Sequence, residues 1–202
     1  MLQLGVLISG RGSNLQAIID SCEAGKIPAQ VAVVVSNDPA AGGLERAKKH
    51  NIPAVVFEPK DFQDKNTYEL EIVKELKKHN VELVCLAGYM RIVGEVLLEH
   101  FPHQIINIHP SLLPSFPGLH AQRQALDHGV TVTGCTVHYV DAGCDTGPII
   151  IQSAVPVREN DTEESLSERI LQQEHHIYPL AIEFIARDKL IIEGRRVRLK
   201  KM

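Results

Sequence analysis

Asn107 and His109 stand two residues apart in the apolar run Gln104 to Ile108 and the residues just after it. Along an extended strand that spacing turns both side chains to one face. A side-chain amide can donate to an oxygen that gains negative charge, and an imidazole can give or take a proton. Pro110, Pro114 and Pro117 follow at once and lower the entropy of the connecting loop, so it can hold a fixed shape. A lone histidine is more often a hydrogen-bonded structural residue. Its place at the end of a strand is what marks this one, because open α/β sheets bind ligands beyond the carboxyl ends of their strands.

Two further segments carry chemistry. Ser9-Gly10-Arg11-Gly12-Ser13-Asn14 lies between an apolar strand and a helix. Glycines there let a ligand approach backbone N–H groups, and the helix start favours an anion such as phosphate. The bland alternative is an ordinary strand-to-helix turn. A dinucleotide fingerprint is poorly matched, since Leu15 stands where the third glycine belongs. The other segment, Asp141-Ala142-Gly143-Cys144-Asp145-Thr146-Gly147-Pro148, is a turn-rich loop. Carboxylates on turns are usually solvated, but one brought against His109 would raise the imidazole pKa by about one unit and orient its ring. Cys144 is a poor nucleophile here, because acidic neighbours raise a thiol pKa. The 10 histidines include no H-E-x-x-H and no zinc-like spacing, so no metal is expected.

The elements that must position these residues alternate between strand and helix. Continuous apolar runs at Leu2–Ile8, Val31–Val35, Ala54–Phe57, Val81–Ala87 and Gln104–Ile108 read as strands buried on both faces. Between them, Ser13 and Gln16 suggest a capping box with Gly25 as the stop, residues 44–50 form a short basic helix, and residues 67–79 place Leu70, Val73 and Leu76 on one stripe. The alternation predicts an α/β fold: a doubly wound, mostly parallel sheet with a Rossmann-like N-terminal half. Antiparallel additions follow, with a helix over 121–128 and strands over 131–140 and 148–157. A long helix starts after a box at Asp161 and Glu164 and is kinked or split by Pro179, and a terminal hairpin turns at Gly194.

The 202 residues suit one large domain or two small ones. Net charge of -4 and a pI of about 6.2 give no reason to expect nucleic acid or membrane as partner. The basic stretch Arg195, Arg196, Arg198, Lys200, Lys201 reads as a solvated tail or edge strand. Four cysteines without paired spacing read as reduced thiols. With no signal-like N-terminus, a cytoplasmic protein is expected.

The strings GSNLQAII, LAGYMRI, INIHPSLLPSFPGLHAQRQAL, TVHYVDAGCDTGPII and QEHHIYPL run in the order of the phosphoribosylglycinamide formyltransferase family, which this chain closely resembles over nearly its whole length. The long central string is highly specific, the glycine loop less so. The resemblance implies one formyltransferase domain over 1–202. About 1–100 would be the ribonucleotide phosphate-binding half and about 101–202 the catalytic and folate-binding half. It implies transfer of the formyl group of the co-substrate 10-formyltetrahydrofolate to the amine of glycinamide ribonucleotide in purine biosynthesis. Asn107, His109 and Asp145 match the catalytic trio. Gly12, Ser13, Asn14 and Glu174 match contacts to the ribonucleotide. Met90, Arg91, Ile92, Val93, Asn107 and Val140 through Asp145 (Asp141, Ala142, Gly143, Cys144 between them) match the folate site. Lys65 stands where many members carry an arginine; it keeps the charge but loses the planar fork. Some relatives pair as homodimers, which leaves that partnership open.

On this reading a protonated His109 and the Asn107 amide stabilise the oxyanion, Asp145 keeps the imidazolium charged and oriented, and a water or His109 moves the proton. Four rivals stand against it, one of them a catalytically dead ribonucleotide-binding module, against which the intact Asn107, His109 and Asp145 argue. Methionyl-tRNA formyltransferases add an RNA-binding domain, formyltetrahydrofolate hydrolases usually add an N-terminal domain, and a Rossmann-type dinucleotide protein needs the missing glycine.

Overall fold

The computed structural model describes residues 1–200; Lys201 of the basic tail lies outside the described residues. The chain is α/β and doubly wound, with mostly parallel strands and antiparallel ones toward the C-terminus. It divides into two compact units between Asn107 and Ile108.

In the first unit the strands are β1 (Leu2–Ile8), β2 (Ala29–Ser36), β3 (Ala54–Val56), β4 (Leu83–Leu86) and the start of β5 (Ile105–His109), all parallel in the order β3-β2-β1-β4-β5. Leu4, Val6, Val33, Val34, Val84 and Ile106 are fully or almost fully buried, as a sheet covered on both faces requires. The order reverses direction beside β1, so the loops after β1 and β4 open into one crevice. They are tied together: the Ser9 N–H donates to Gly88 O (3.2 Å), and Ser9 Oγ accepts from Met90 N–H (2.8 Å) while donating to Asn37.

Helices α1 (Ser13–Glu23), α2 (Gly43–Lys49), α3 (Lys65–Lys78) and α4 (Glu95–His100) fill the connections. α4, with only six residues, has no sequence expectation behind it. The box expected at Ser13 and Gln16 is absent. Gly12 is the N-cap at φ +70°, and Ser13 is already helical. α3 does carry a box, between Asp64 and Thr67. Its buried stripe is Tyr68, Glu69, Ile72, Val73 and Leu76; Leu70 is left exposed, because α3 also packs on α4 and turns that side inward.

The second unit holds α5 (Ala121–Asp127), β6 (Val132–Tyr139), β7 (Ile149–Pro156), α6 (Glu163–Ala186), β8 (Leu190–Glu193) and β9 (Arg196–Leu199). β6 and β7 pair antiparallel, with α6 packed across both. The order β6-β7-β9-β8 makes β8 the edge, so the basic β9 is an interior strand. α6 is capped by Thr162 with Ser165 and not by the expected box. The Asp161 carboxylate is taken instead by Arg169 (2.7 and 2.8 Å) and the Arg158 N–H. Pro179 lacks an N–H, yet α6 runs unbroken through it. Ile177, Tyr178, Ala181 and Ile182 bury the flanking turns, and that packing holds the helix together across the missing bond.

Candidate active site

β5 ends at His109, and strand geometry sets Asn107 and His109 on one face. His109 is 5% exposed. Its Nδ1 lies 3.3 Å from Oδ2 of Asp145, and its Nε2 lies 2.9 Å from the Phe116 carbonyl. The two residues are thus in contact across a separation of 36 positions, which no local pattern could reveal. Asp145 sits at φ +54°, in the left-handed region that aspartate tolerates better than most side chains. That turn aims its carboxylate inward, where Oδ2 also accepts the Gly118 N–H at 2.8 Å.

One member of this cluster escaped the sequence reading. His138, on β6 and 2% exposed, places Nε2 3.6 Å from Asp145 Oδ1 and hydrogen-bonds Tyr139 O through Nδ1 at 2.8 Å. It is the third residue of the string TVHYVDAGCDTGPII, and the available signal was a titratable side chain inside a strand that is buried throughout from Thr133 to Tyr139.

The charges follow from these contacts. Burial alone would raise Asp145, but His138, the Gly118 N–H and His109 together outweigh it and hold the carboxyl down at about 2. For His109 the balance goes the other way. Burial lowers its pKa below the ordinary 6.5, more than the Phe116 carbonyl and Asp145 raise it. The expected upward shift is therefore corrected: at neutral pH the resting site pairs a neutral imidazole with an ionised carboxylate. Both ring nitrogens nevertheless face oxygens that only accept, and a neutral ring has one N–H for the two. The pocket is shaped for an imidazolium that burial keeps from standing permanently.

The Asp141 to Gly147 loop is braced from inside. Asp141 Oδ1 accepts from Thr146 Oγ1 (2.6 Å) and Gly143 N–H (3.1 Å), and the Arg195 guanidinium donates to Thr146 O (2.9 Å). Cys144 is exposed, and its thiol is pushed up by desolvation and by Asp145, away from a reactive thiolate. Val140 is half-buried, Ala142 and Gly143 exposed. Glu174 is buried on α6.

In the first unit, Gly12 is buried, Ser13 half-buried and Asn14 buried. A Cβ at Gly12 would come within 2.5 Å of Gly43 Cα, whereas one at Gly10 would meet nothing within 4 Å. Gly12 is thus required by close approach to α2, and Gly10 is the glycine that leaves room in front of the loop. The Gly43 N–H donates to Gly10 O (3.0 Å) and Arg46 Nε donates to Arg11 O (2.9 Å), so α2 carries the loop. After β4, Met90, Arg91 and Ile92 are exposed while Val93 is buried. The Arg91 guanidinium lies 5.4 Å from the Tyr68 ring. Lys65 Nζ is 4.0 Å from the Glu69 carboxylate. Among the described residues no cluster of three or more His, Cys, Asp or Glu could hold a metal ion, and no helix is long and apolar enough to cross a membrane.

Comparison with known proteins gives this geometry its context. Residues 2–182 match the formyl transferase family. A phosphoribosylglycinamide formyltransferase of Bacillus subtilis is 47% identical over 182 residues, 90% of this chain and 93% of that protein. The trifunctional purine biosynthetic protein adenosine-3 of Drosophila pseudoobscura pseudoobscura is 50% identical over 186 residues; the match takes in 91% of this chain but spans only 14% of that longer protein. The crystal structure of glycinamide ribonucleotide transformylase 1 from Symbiobacterium toebii superposes with a TM-score of 0.98 at 55% identity, over 100% of this chain and 95% of that one. The chain belongs to the formyl transferase family, and within it to the phosphoribosylglycinamide formyltransferases.

Proposed function

We propose that this protein transfers the formyl group of 10-formyltetrahydrofolate to the amine of glycinamide ribonucleotide, in the cytoplasm, as one formyltransferase domain. The observation that carries the reading is the 3.3 Å contact between His109 and Asp145 in a chain so similar to enzymes of that name. The acceptor resembles an α-amino group with a pKa of about 8, so much of it is already neutral and nucleophilic. The amine attacks the formyl carbon, forming the new C–N bond and a tetrahedral oxyanion. The Asn107 amide donates to that oxygen. His109, neutral at rest, takes the proton from the attacking nitrogen and becomes an imidazolium beside Asp145. It then returns the proton to N10 of the folate as the old C–N bond breaks. Asp145 stays ionised throughout. The Nε2 of His109 must exchange the Phe116 carbonyl for substrate, so that loop shifts on binding.

Gly12, Ser13 and Asn14 offer backbone N–H groups to the ribonucleotide phosphate, and Glu174 contacts the same substrate. Met90, Ile92 and Val93 are the first unit's folate-binding residues, and the loop from Val140 to Asp145 is the second unit's. The exposed apolar side chains of Met90 and Ile92 suit a flat ring, and Arg91 and Lys65 supply positive charge near it. The test is a formyl-transfer assay on purified protein without added metal, with and without glycinamide ribonucleotide. Tetrahydrofolate released only when the ribonucleotide is present supports the reading. Equal release without it points to a hydrolase, and no release in either arm ends the proposal.

A further inference from the structure

Glu69 is a buried acid for which the reaction has no use. It is 2% exposed, and a carboxylate out of water must be compensated. Its partners are two backbone amides 25 and 28 residues away: Oε1 accepts the Gly94 N–H at 2.6 Å and Oε2 the Leu97 N–H at 3.3 Å, with Lys65 Nζ at 4.0 Å as counter-charge. Both amides belong to the start of α4, where N–H groups have no acceptor inside the helix and negative charge is favoured. Gly94, the N-cap, has no side chain to accept them. A Cβ there would stand 2.7 and 2.8 Å from the two Glu69 oxygens. The cap has been moved from the local sequence onto α3.

The consequence falls on the four residues just before Gly94. Met90 is held at one end by Ser9 Oγ (2.8 Å), and Gly94 at the other by Glu69. Between these anchors Val93 is sunk into the protein, while Met90 and Ile92 are 68% and 64% exposed. The pinned span presents two large apolar side chains to solvent in a fixed place.

We propose that Glu69 is a positioning residue for the formyl donor: by capping α4 from α3 it sets the place of the Met90–Val93 segment. This rests on the assignment of that segment to the folate surface. The test compares wild type with Glu69→Gln in the full chain, by steady-state kinetics with each substrate varied and by amide hydrogen exchange at residues 94–97. A glutamine keeps the size but replaces one accepting oxygen by a donor. The expected result is a rise of about 10-fold in KM for 10-formyltetrahydrofolate. KM for the ribonucleotide and kcat stay within about twofold, and exchange at Gly94 and Leu97 quickens. Gly94→Ala, which crowds the same oxygens, should raise the same KM and serves if Glu69→Gln does not fold. Equal changes in both KM values, or faster exchange with donor KM unchanged, reduce Glu69 to a stabilising role and overturn the inference. So does unchanged exchange. Wild-type protein inactive in formyl transfer would sink the functional assignment instead, a result the variants cannot mimic.

Discussion

Nε2 of His138 stands 3.6 Å from Oδ1 of Asp145, while His109 Nδ1 stands 3.3 Å from the other oxygen, Oδ2. One acid therefore sits between two buried imidazoles and also accepts the Gly118 N–H. Such an acid is oriented through both of its oxygens, and His109 is the imidazole it holds ready for a proton. The consequences can be measured separately.

Asp145→Asn should lower turnover by roughly 10²–10⁴-fold with smaller changes in substrate affinity, because the charge that stabilises the transient imidazolium is lost. Single-turnover kinetics at wild-type speed would remove Asp145 from the mechanism.

His138→Gln should let the Asp145 carboxyl pKa rise from about 2 toward its ordinary 3.8 and should lower kcat by about 10-fold, leaving ribonucleotide binding alone. NMR titration of the Asp145 carboxyl reads the first effect. An unmoved titration would mean that Gly118 and His109 suffice.

Gly10→Val and Gly12→Val should part company. Position 10 is open, so its valine should leave stability within about 0.5 kcal/mol while weakening ribonucleotide binding. Position 12 has φ +70° and Gly43 Cα in the way, so its valine should cost about 1–3 kcal/mol of stability as well. Thermal melts beside calorimetric titration of the ribonucleotide separate the two. Full affinity in Gly10→Val would move the phosphate elsewhere.

The pH profile tests the neutral imidazole. As pH falls, kcat/KM should lose one power of proton concentration below the amine pKa of about 8. It should steepen to a second only below 6.5, where His109 at last protonates. Stability moves in the same direction. The unfolded chain protonates His109 first, so stability drops as pH falls from 6.5 toward the depressed folded value. Asp145 adds a further loss between 3.8 and about 2. Second-power behaviour beginning above 6.5 would show that the His109 pKa is raised and not lowered, and no second power at all would show that the charged imidazole is the active form.

What could be read in the sequence and what could not differ in physical kind. Strand and helix periods are local, so β1 was legible at its observed ends, Leu2 and Ile8, and the hairpin about Gly194 was legible from its turn residue. The spacing of Asn107 and His109 is also local and fixes their common face on one strand. Caps were the weak point: whether Asp161 caps its helix depends on what else competes for its carboxylate, and Arg169 decided it, while at the first helix Gly12 and not Ser13 is the N-cap. Three matters were beyond any local pattern. Only the fold brings His109 and His138 to the two oxygens of the Asp145 carboxylate and sends Glu69 to the amides of Gly94 and Leu97. Only burial sets the sign of the His109 shift, because desolvation depends on everything packed around the ring while an ion pair needs just one neighbour. The sequence alone determined which groups were available for the chemistry. The tertiary structure decided their charge, because the cost of charging a ring is set by how far it lies from water.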